Sequence, residues 1–278
     1  MGAFLALASA ACYGLVDFAG GVLSRRAHFA VVTFLGQLGG LLFAGAAALA
    51  VPAHAVRSAD LLWGALSGAG SAVAMHFLNR GLSRGAMSVV VPVSAVTGVA
   101  LSVVCGVLFL GDRPSALAWL GICVTVPALW LVAGGGAAGG SGRLPADGLT
   151  ASVGVAVQYL GLAQADPASG LWPVAAGRLA AVLLLLPGMR RHPAGIRDAG
   201  RPALTVLAVL TGAGAALALI LYLWATRQQI LSVAVVLASL YPAVPTVLGL
   251  AVLHERVTRA QAAGLAGAAA AVVLLSLG

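Results

Sequence analysis

Long runs of apolar residues, separated by short polar breaks, recur along the whole chain. Each run has about 20 residues, which is long enough to cross a bilayer as a helix. Because lipid cannot satisfy open backbone groups, we expect every run to be helical. The ten predicted spans are Gly2–Leu23, Phe29–Val51, Leu61–Leu82, Met87–Leu110, Ala116–Ala133, Gly148–Ala165, Ala168–Met189, Pro202–Trp224, Ile230–Leu253 and Ala260–Leu277. The pattern predicts an all-α integral membrane protein.

The pattern repeats once, at about half the length of the chain. Ser88–Arg113 and Ser232–Arg256 both open with Ser-Val, continue apolar and close on an acidic residue followed by arginine. A Gly-rich linker at 138–147 separates a first five-helix repeat, 1–137, from a second, 148–278. An odd number of spans in each half reverses the second half in the membrane. The sequence therefore predicts ten transmembrane helices arranged as two inverted five-helix repeats.

Polar positions also recur in this register. With an offset of 141 residues, Asp17 matches Gln158 in the first span of each half, and Gln37 matches Arg178 in the second. Glycines match at the same offset, so the register does not depend on the polar residues alone. Polar groups at equivalent places in two halves indicate a shared pathway near the middle of the membrane.

Composition supports a lipid environment, since 61% of the residues are hydrophobic and only 8% are charged. All fifteen basic residues are arginine, and the net charge is +8. They lie mostly between apolar runs, which indicates membrane topology and headgroup contact and argues against nucleic-acid binding. We call side A the side of both termini and side B the other. Eleven arginines lie in side B loops and three in side A loops, which predicts that side B is cytoplasmic and the termini are outside.

The motifs that close the two halves resemble a known family. Asp112-Arg113 follows a glycine, and Glu255-Arg256 follows His254. Both are similar to the Gly-Glu-Arg pattern of EamA-type transporters of the drug/metabolite transporter superfamily. The first span, with Tyr13-Gly14 where Trp-Gly is usual there, also resembles that family. The resemblance implies an inverted-repeat transporter with a midplane cavity lined from spans 1, 3, 4, 6, 8 and 9. It also implies termini inside, opposite to the arginine count.

Two charged residues lie inside predicted spans. A bare charge in lipid is costly, so Asp17 and Arg178 are expected to face the bundle interior or water and to be paired. Their predicted depths are similar, and we predict an ion pair between them across the axis relating the halves. For Asp17, a proton or cation relay or a contact to a cationic solute stands beside a purely structural ion pair.

Further polar and aromatic side chains complete the predicted pathway. These residues also have a structural interpretation as an alternative to a pathway role. His76 can be a hydrogen-bonded interior group, and the tyrosines can be residues of the membrane interface. The predicted pathway residues are Tyr13, Asp17, Gln37, His76, Asn79, Gln158, Tyr159, Arg178, Tyr222 and Tyr241.

Loop charges and glycine spacings are predicted to be structural. Thr258 with Gln261 has the spacing of a helix capping box. The Glu255-Arg256 pair is predicted to serve a short loop. Glycines spaced by four, such as Gly64 and Gly68, permit close packing of helices.

The sequence favours a secondary transporter over the alternatives. No hydrolase, zinc-protease or nucleotide-phosphate motif is present, so we predict no enzyme, no cofactor and no metal site. The favoured function is export of a small organic metabolite or drug-like solute by alternating access, with proton coupling left open. The predicted location is a bacterial plasma (inner) membrane, with lipid and a small-molecule solute as partners. A non-transporting scaffold or accessory subunit is the alternative, and a homodimer remains open.

Overall fold

The computed structural model describes residues 2–105, 115–132, 143–191, 201–228 and 241–277. Within these ranges the chain forms ten α-helices and one short 3-10 helix, Pro167–Ser169, without a strand. The α-helices are α1 Gly2–Arg26, α2 Phe29–Ala50, α3 Ser58–Arg84, α4 Met87–Cys105, α5 Ala116–Val132, α6 Arg143–Ala163, α7 Trp172–Arg190, α8 Pro202–Gln228, α9 Ala243–Ala251 and α10 Arg259–Leu277. The all-α prediction is confirmed.

Most described helix ends lie within a few residues of the predicted spans, and the starts of α6 and α7 differ from the prediction for reasons that the structure shows. Helix α6 begins at Arg143, so the end of the predicted linker is helical. Helix α7 begins at Trp172 rather than Ala168, because Asp166 caps a separate 3-10 turn and Gly170 then reverses the chain with φ of 61°. The predicted linker and spans 4, 5 and 9 also include residues outside the described ranges, and Asp112 and Arg113, between spans 4 and 5, lie outside them as well.

Among the described residues, five helices are long and apolar enough to cross a membrane by length and composition: α1, α2, α3, α7 and Pro202–Ala225 of α8. Shorter apolar segments lie in α4, α5 and α10. Large apolar side chains also point outward, with Leu49 78% and Leu62 71% exposed. Contiguous apolar surface of this kind is rare on soluble proteins. These helices belong to a multi-pass membrane protein.

Helices of the first half pack mainly on helices of the second half. Helix α3 packs against α6 and α7, and α8 packs in the same way against α1 and α2. Helix α2 crosses α7, α4 contacts α9, and α5 contacts α10. Exchanging each helix with the one five places along the chain leaves this set of contacts unchanged.

The ends of α3 and α6 show that the two helices run in opposite directions. Near the start of α3, Asp60 accepts a hydrogen bond of 2.9 Å from the amide of Asp166, which follows α6. Near the end of α3, Arg80 forms an ion pair with Asp147 in the first turns of α6. Between the ends, the Ser67 hydroxyl donates to the Gln158 carbonyl at 2.8 Å.

Two glycine contacts bring the halves together at their crossings. A side chain at Gly68 would overlap the backbone of Gly177, and one at Gly212 would overlap the backbone of Gly36. Gly177 is the offset partner of Gly36, so the two contacts occupy equivalent places in the two halves. Close approach of backbones through small residues is how membrane helices gain packing contacts.

Candidate functional site

A small cavity lies where the two halves meet. Its volume is about 70 Å³, and it contains both charged residues that the sequence places inside spans. The wall is formed by Tyr13, Val16, Asp17, Gly20, Val32, Thr33, Gly36, Gln37, Ser71, Met75, Asn79, Gln158, Arg178, Thr211, Gly212 and Ala215.

Helical spacing places the polar wall residues on one face of each helix. Thr33 and Gln37 are four residues apart on α2, and Ser71, Met75 and Asn79 follow one another at four-residue intervals on α3. Residues at this spacing lie one above another on a helix. Helices α2 and α3 therefore each present polar side chains to the cavity from one face.

Arg178 is held at one part of this wall by neutral polar groups. Its Nη1 atom donates to Gln37 Oε1 at 2.9 Å and to Ser71 Oγ at 3.4 Å. Gln37 Nε2 also donates to Ser71 Oγ at 3.4 Å. Gly40 leaves room for the Arg178 stem, since a side chain there would come within 3.2 Å of Arg178 Cδ. A guanidinium stays charged in proteins, so the wall carries a fixed positive charge.

Asp17 lies in the same wall without such support. It is 7% exposed, and its carboxylate takes part in no hydrogen bond or ion pair with any residue that the structure describes. The predicted ion pair with Arg178 is wrong in this structure. Gln37, which faces Arg178 from the crossing helix α2, occupies Nη1 instead. Because an unpaired carboxylate is costly in an apolar interior, Asp17 is available to an external cation, a proton or a donor group.

A third polar group lies toward side B. Asn79 Nδ2 donates to Thr33 Oγ1 at 2.9 Å, and Thr33 Oγ1 donates to the Phe29 carbonyl at 2.8 Å. Gly20 lies beside this pair, and a Cβ atom added at Gly20 would lie 3.3 Å from Asn79 Oδ1. The cavity thus runs from Arg178 past Asp17 to Asn79.

Six of the ten predicted pathway residues line the cavity: Tyr13, Asp17, Gln37, Asn79, Gln158 and Arg178. The other four lie outside the described wall. The His76 ring contacts Phe29 and Phe77 edge-on, at 5.1 and 5.4 Å between ring centroids. The Tyr241 ring lies 6.1 Å from that of Tyr13, behind the wall. Tyr159 is 40% exposed but lies near enough to Tyr13 and Asp17 to interact with them electrostatically, and Tyr222 is half-buried on α8.

Sequence reasoning missed three hydroxyl residues in the wall: Thr33, Ser71 and Thr211. Ser71 is the most consequential, because it contacts both Gln37 and Arg178. The signal available was the four-residue spacing from Ser71 through Met75 to Asn79. Serine and threonine are common in membrane helices, however, and such spacing alone does not distinguish a wall from a packing face.

The described wall also differs in its helices from the one that the family resemblance implied. It is built from α1, α2, α3, α6, α7 and α8, without a described residue of α4 or α9. The reason is the crossing of α2 and α7, which brings Gln37 and Arg178 to the centre. Sidedness and oligomeric state are separate properties and stay predictions.

The chemistry of the wall suits reversible binding of charged groups. Over the described ranges, no three His, Cys, Asp or Glu side chains are placed to hold a metal ion. The charged groups offered are one carboxylate and one guanidinium, flanked by amides and hydroxyls. These groups can bind an ammonium or a proton on one side and a carboxylate or similar anion on the other.

Comparison with known proteins agrees with this picture. Residues 1–134 match the model of the EamA-like transporter family. The match covers the first of the two halves. No curated protein matches the chain.

Proposed function

We propose that this chain is a secondary transporter of a small organic solute, because its residues 1–134 match the EamA-like transporter family. The solute binds in the cavity between the halves, within reach of Asp17 and Arg178. The pathway comprises the predicted residues that line the cavity, together with Thr33 and Ser71. Tyr241 supports Tyr13 from behind.

The observation that carries the proposal is the Asp17 carboxylate, which lies in a buried wall without a partner among the described residues. A carboxylate kept in a membrane interior without a protein partner is costly unless something else binds it during the working cycle. Arg178 differs, because its charge is already solvated by Gln37 and Ser71. The proposal assigns Asp17 to a proton or to a cationic group of the solute, and Arg178 to an anionic group.

Alternating access follows if the halves are inverted repeats, as we propose. Opposite directions of α3 and α6 support this arrangement, as do the contacts of α3 with α6 and α7, which have counterparts in those of α8 with α1 and α2. A cavity of about 70 Å³ is far below the roughly 300–1,000 Å³ of typical ligand pockets. The described conformation is therefore closed around the site, and binding requires the halves to move.

The test is solute flux in membrane vesicles, measured with and without an imposed pH gradient. A panel of small cationic, anionic and zwitterionic solutes is compared between the parent protein and Asp17→Asn. We expect flux of at least one solute above empty vesicles, and its loss in the variant. Asp147→Asn is the matched control, since Asp147 is a buried carboxylate in an ion pair away from the cavity. Equal flux in the parent and Asp17→Asn would refute the role of Asp17.

Direction, coupling and location are finer parts of the proposal. We propose export across a bacterial plasma membrane, driven by proton entry through Asp17. A pH gradient that drives solute movement, and loses that effect in Asp17→Asn, would support coupling. A reporter fused after Gly278 would decide between termini outside, as the arginines favour, and termini inside, as the family resemblance implies. A scaffold function would be favoured if no solute in the panel moved and the cavity variants kept every partner interaction.

A further inference from the structure

Buried apolar side chains lie on the side B end of the cavity, among the residues that the structure describes. Gly20 of α1 and Asn79 of α3 line the cavity, and both helices continue from there toward side B. Within the next turn, Leu82 and Met87 are fully buried and pack on Gly21. Leu82 and Met87 therefore fill the space where α1, α3 and the start of α4 meet.

Beyond this layer, the carboxylate of Glu255, from the second half, binds the start of α4. Glu255 Oε1 accepts a hydrogen bond from the Met87 amide at 2.9 Å. Glu255 Oε2 accepts from the Ser88 amide at 3.0 Å and from the Ser88 hydroxyl at 2.8 Å. The first amides of a helix lack partners within the helix, so an external carboxylate satisfies them. Glu255 therefore caps a helix of the other half.

Arg25, at the end of α1, completes the cluster. Its Nη2 atom lies 3.0 Å from Glu255 Oε1 and donates to the Gly85 carbonyl at 2.8 Å. Its Nε atom donates to the Leu82 carbonyl at 3.1 Å. The ends of α1 and α3, the start of α4 and the loop before α10 thus meet at one point. We call Glu255, Arg25 and Ser88 the Glu255 latch.

The loop that presents Glu255 adopts an unusual backbone conformation. His254 has φ of 53°, in the left-handed region that residues with a side chain rarely enter. Such conformations persist where the surroundings fix them, often at switches and binding sites. The Glu255-Arg256 pair was predicted to serve a short loop, but the Glu255 side chain is only 10% exposed and accepts from four hydrogen-bond donors.

The cluster also keeps Glu255 ionised. Burial by itself would raise the pKa of Glu255, but hydrogen bonds from the Ser88 and Met87 amides, the Ser88 hydroxyl and Arg25 outweigh it and lower the pKa below the ordinary value of 4.5. The charged groups facing it here are Arg25 and the partial charges of the α4 N-terminus. Ionised Glu255 holds the latch closed at neutral pH.

We propose that the Glu255 latch is the side B gate of the cavity, released when the second half withdraws Glu255 from the start of α4. Glu255 is the element of the latch that comes from the second half, so relative movement of the halves must break its bonds. Once they break, α4 is free to part from α1 and the Leu82–Met87 layer opens. By helix rise, the latch lies roughly 8 Å beyond the cavity.

A cysteine placed in the cavity reports on this gate without any solute. Val16 lines the cavity and is replaced by cysteine in a protein whose three native cysteines are changed to serine. A membrane-impermeant thiol reagent is added to vesicles of each orientation. With Glu255→Gln, we expect the labelling rate from side B to rise at least tenfold and the rate from side A to stay unchanged or fall.

Two control variants distinguish the opening of a gate from a general loss of helix packing. Asp147→Asn removes the neighbouring ion pair with Arg80 on the same side but leaves the α4 start capped, and it should leave labelling unchanged. Ser88→Ala removes one of the Glu255 bonds and should give a smaller rise than Glu255→Gln. If Glu255→Gln does not yield folded protein, Ser88→Ala and Arg25→Gln carry the same test.

The inference rests on the proposed transport function for its biological meaning, but access and flux are measured separately. Side B labelling of the latch variants no faster than that of Asp147→Asn would overturn the gate, whatever the flux assay shows. Faster labelling without flux of any tested solute would leave the gate in place and count against the proposed transport.

Discussion

Asp17 and Arg178 line the same small cavity, yet the protein treats the two charges differently. Arg178 is hydrogen-bonded to Gln37, with Ser71 completing the cluster. Asp17 is equally buried, and no described residue binds its carboxylate. The charge of Arg178 is satisfied within the fold, while that of Asp17 is available to a proton or a cationic group that enters the cavity.

This difference separates stability from function within a single site. Removing a group with partners leaves those partners unsatisfied, which costs about 1–3 kcal/mol. Removing a buried charge without partners carries no such cost. A variant of Asp17 should therefore lose flux without losing stability, whereas a variant of Arg178 should lose both.

The largest effect is expected on flux in Asp17→Asn. The amide cannot carry a proton or bind a cation as the carboxylate does, so flux should fall by roughly 100-fold, equivalent to about 2.7 kcal/mol. The melting temperature in detergent should stay the same or rise, because a buried unpaired charge has been removed. A marked loss of melting temperature would show that Asp17 has a structural partner after all.

Arg178→Gln should lower stability by about 1–3 kcal/mol, since Gln37 Oε1 and Ser71 lose their charged donor. Denaturation in a titration with sodium dodecyl sulfate measures this free energy. Flux should fall as well, because the anionic group of the solute loses its contact. A variant as stable as the parent would contradict the view that Arg178 is fixed by the fold.

Ser71→Ala should have a smaller effect, of about 0.5–1 kcal/mol. Both hydrogen bonds to its hydroxyl are long, at 3.4 Å, and Gln37 keeps the shorter bond to Arg178. The same denaturation titration measures it, with Ser67→Ala as control, whose 2.8 Å bond joins α3 to α6 and involves neither charged side chain. A loss as large as that of Arg178→Gln would mean that Ser71 rather than Gln37 holds the guanidinium.

The smallest effect is expected for coupling between the two charges. Residues without a shared contact are additive in stability within about 0.5 kcal/mol. The double variant Asp17→Asn with Arg178→Gln should therefore equal the sum of the single variants, and exchanging the two charges should restore nothing. A coupling above about 1 kcal/mol would revive the ion pair that the sequence predicted.

The sequence predicted most of the fold, because membrane helices follow directly from apolar run length. Helix α2 begins at Phe29 and α4 at Met87, both as predicted. The capping box at the start of α10 is confirmed: Thr258 and Gln261 exchange two hydrogen bonds. The start of α7 was missed because the apolar run hides a reversal at Gly170, and hydropathy does not detect a backbone turn.

The site was predicted in its members but not in its contacts. Asp17, Gln37 and Arg178 were chosen because polar groups are costly in lipid, and all three reach the cavity. The ion pair failed because similar depth does not fix the rotation of a helix. In the folded protein Gln37 of α2 contacts Arg178 of α7. Glu255 likewise contacts α4, more than 160 residues away in the chain.

The sequence by itself determined that this is a membrane protein, that it is helical and that polar residues recur at matching places in its halves. These properties depend on local composition, since every span must satisfy its own backbone and every buried charge is costly. Only the tertiary structure decided which buried charge is satisfied and which is left open, and that Glu255 joins the halves. Those outcomes depend on the crossing of α2 with α7 and on a loop turned at His254, which no local pattern encodes.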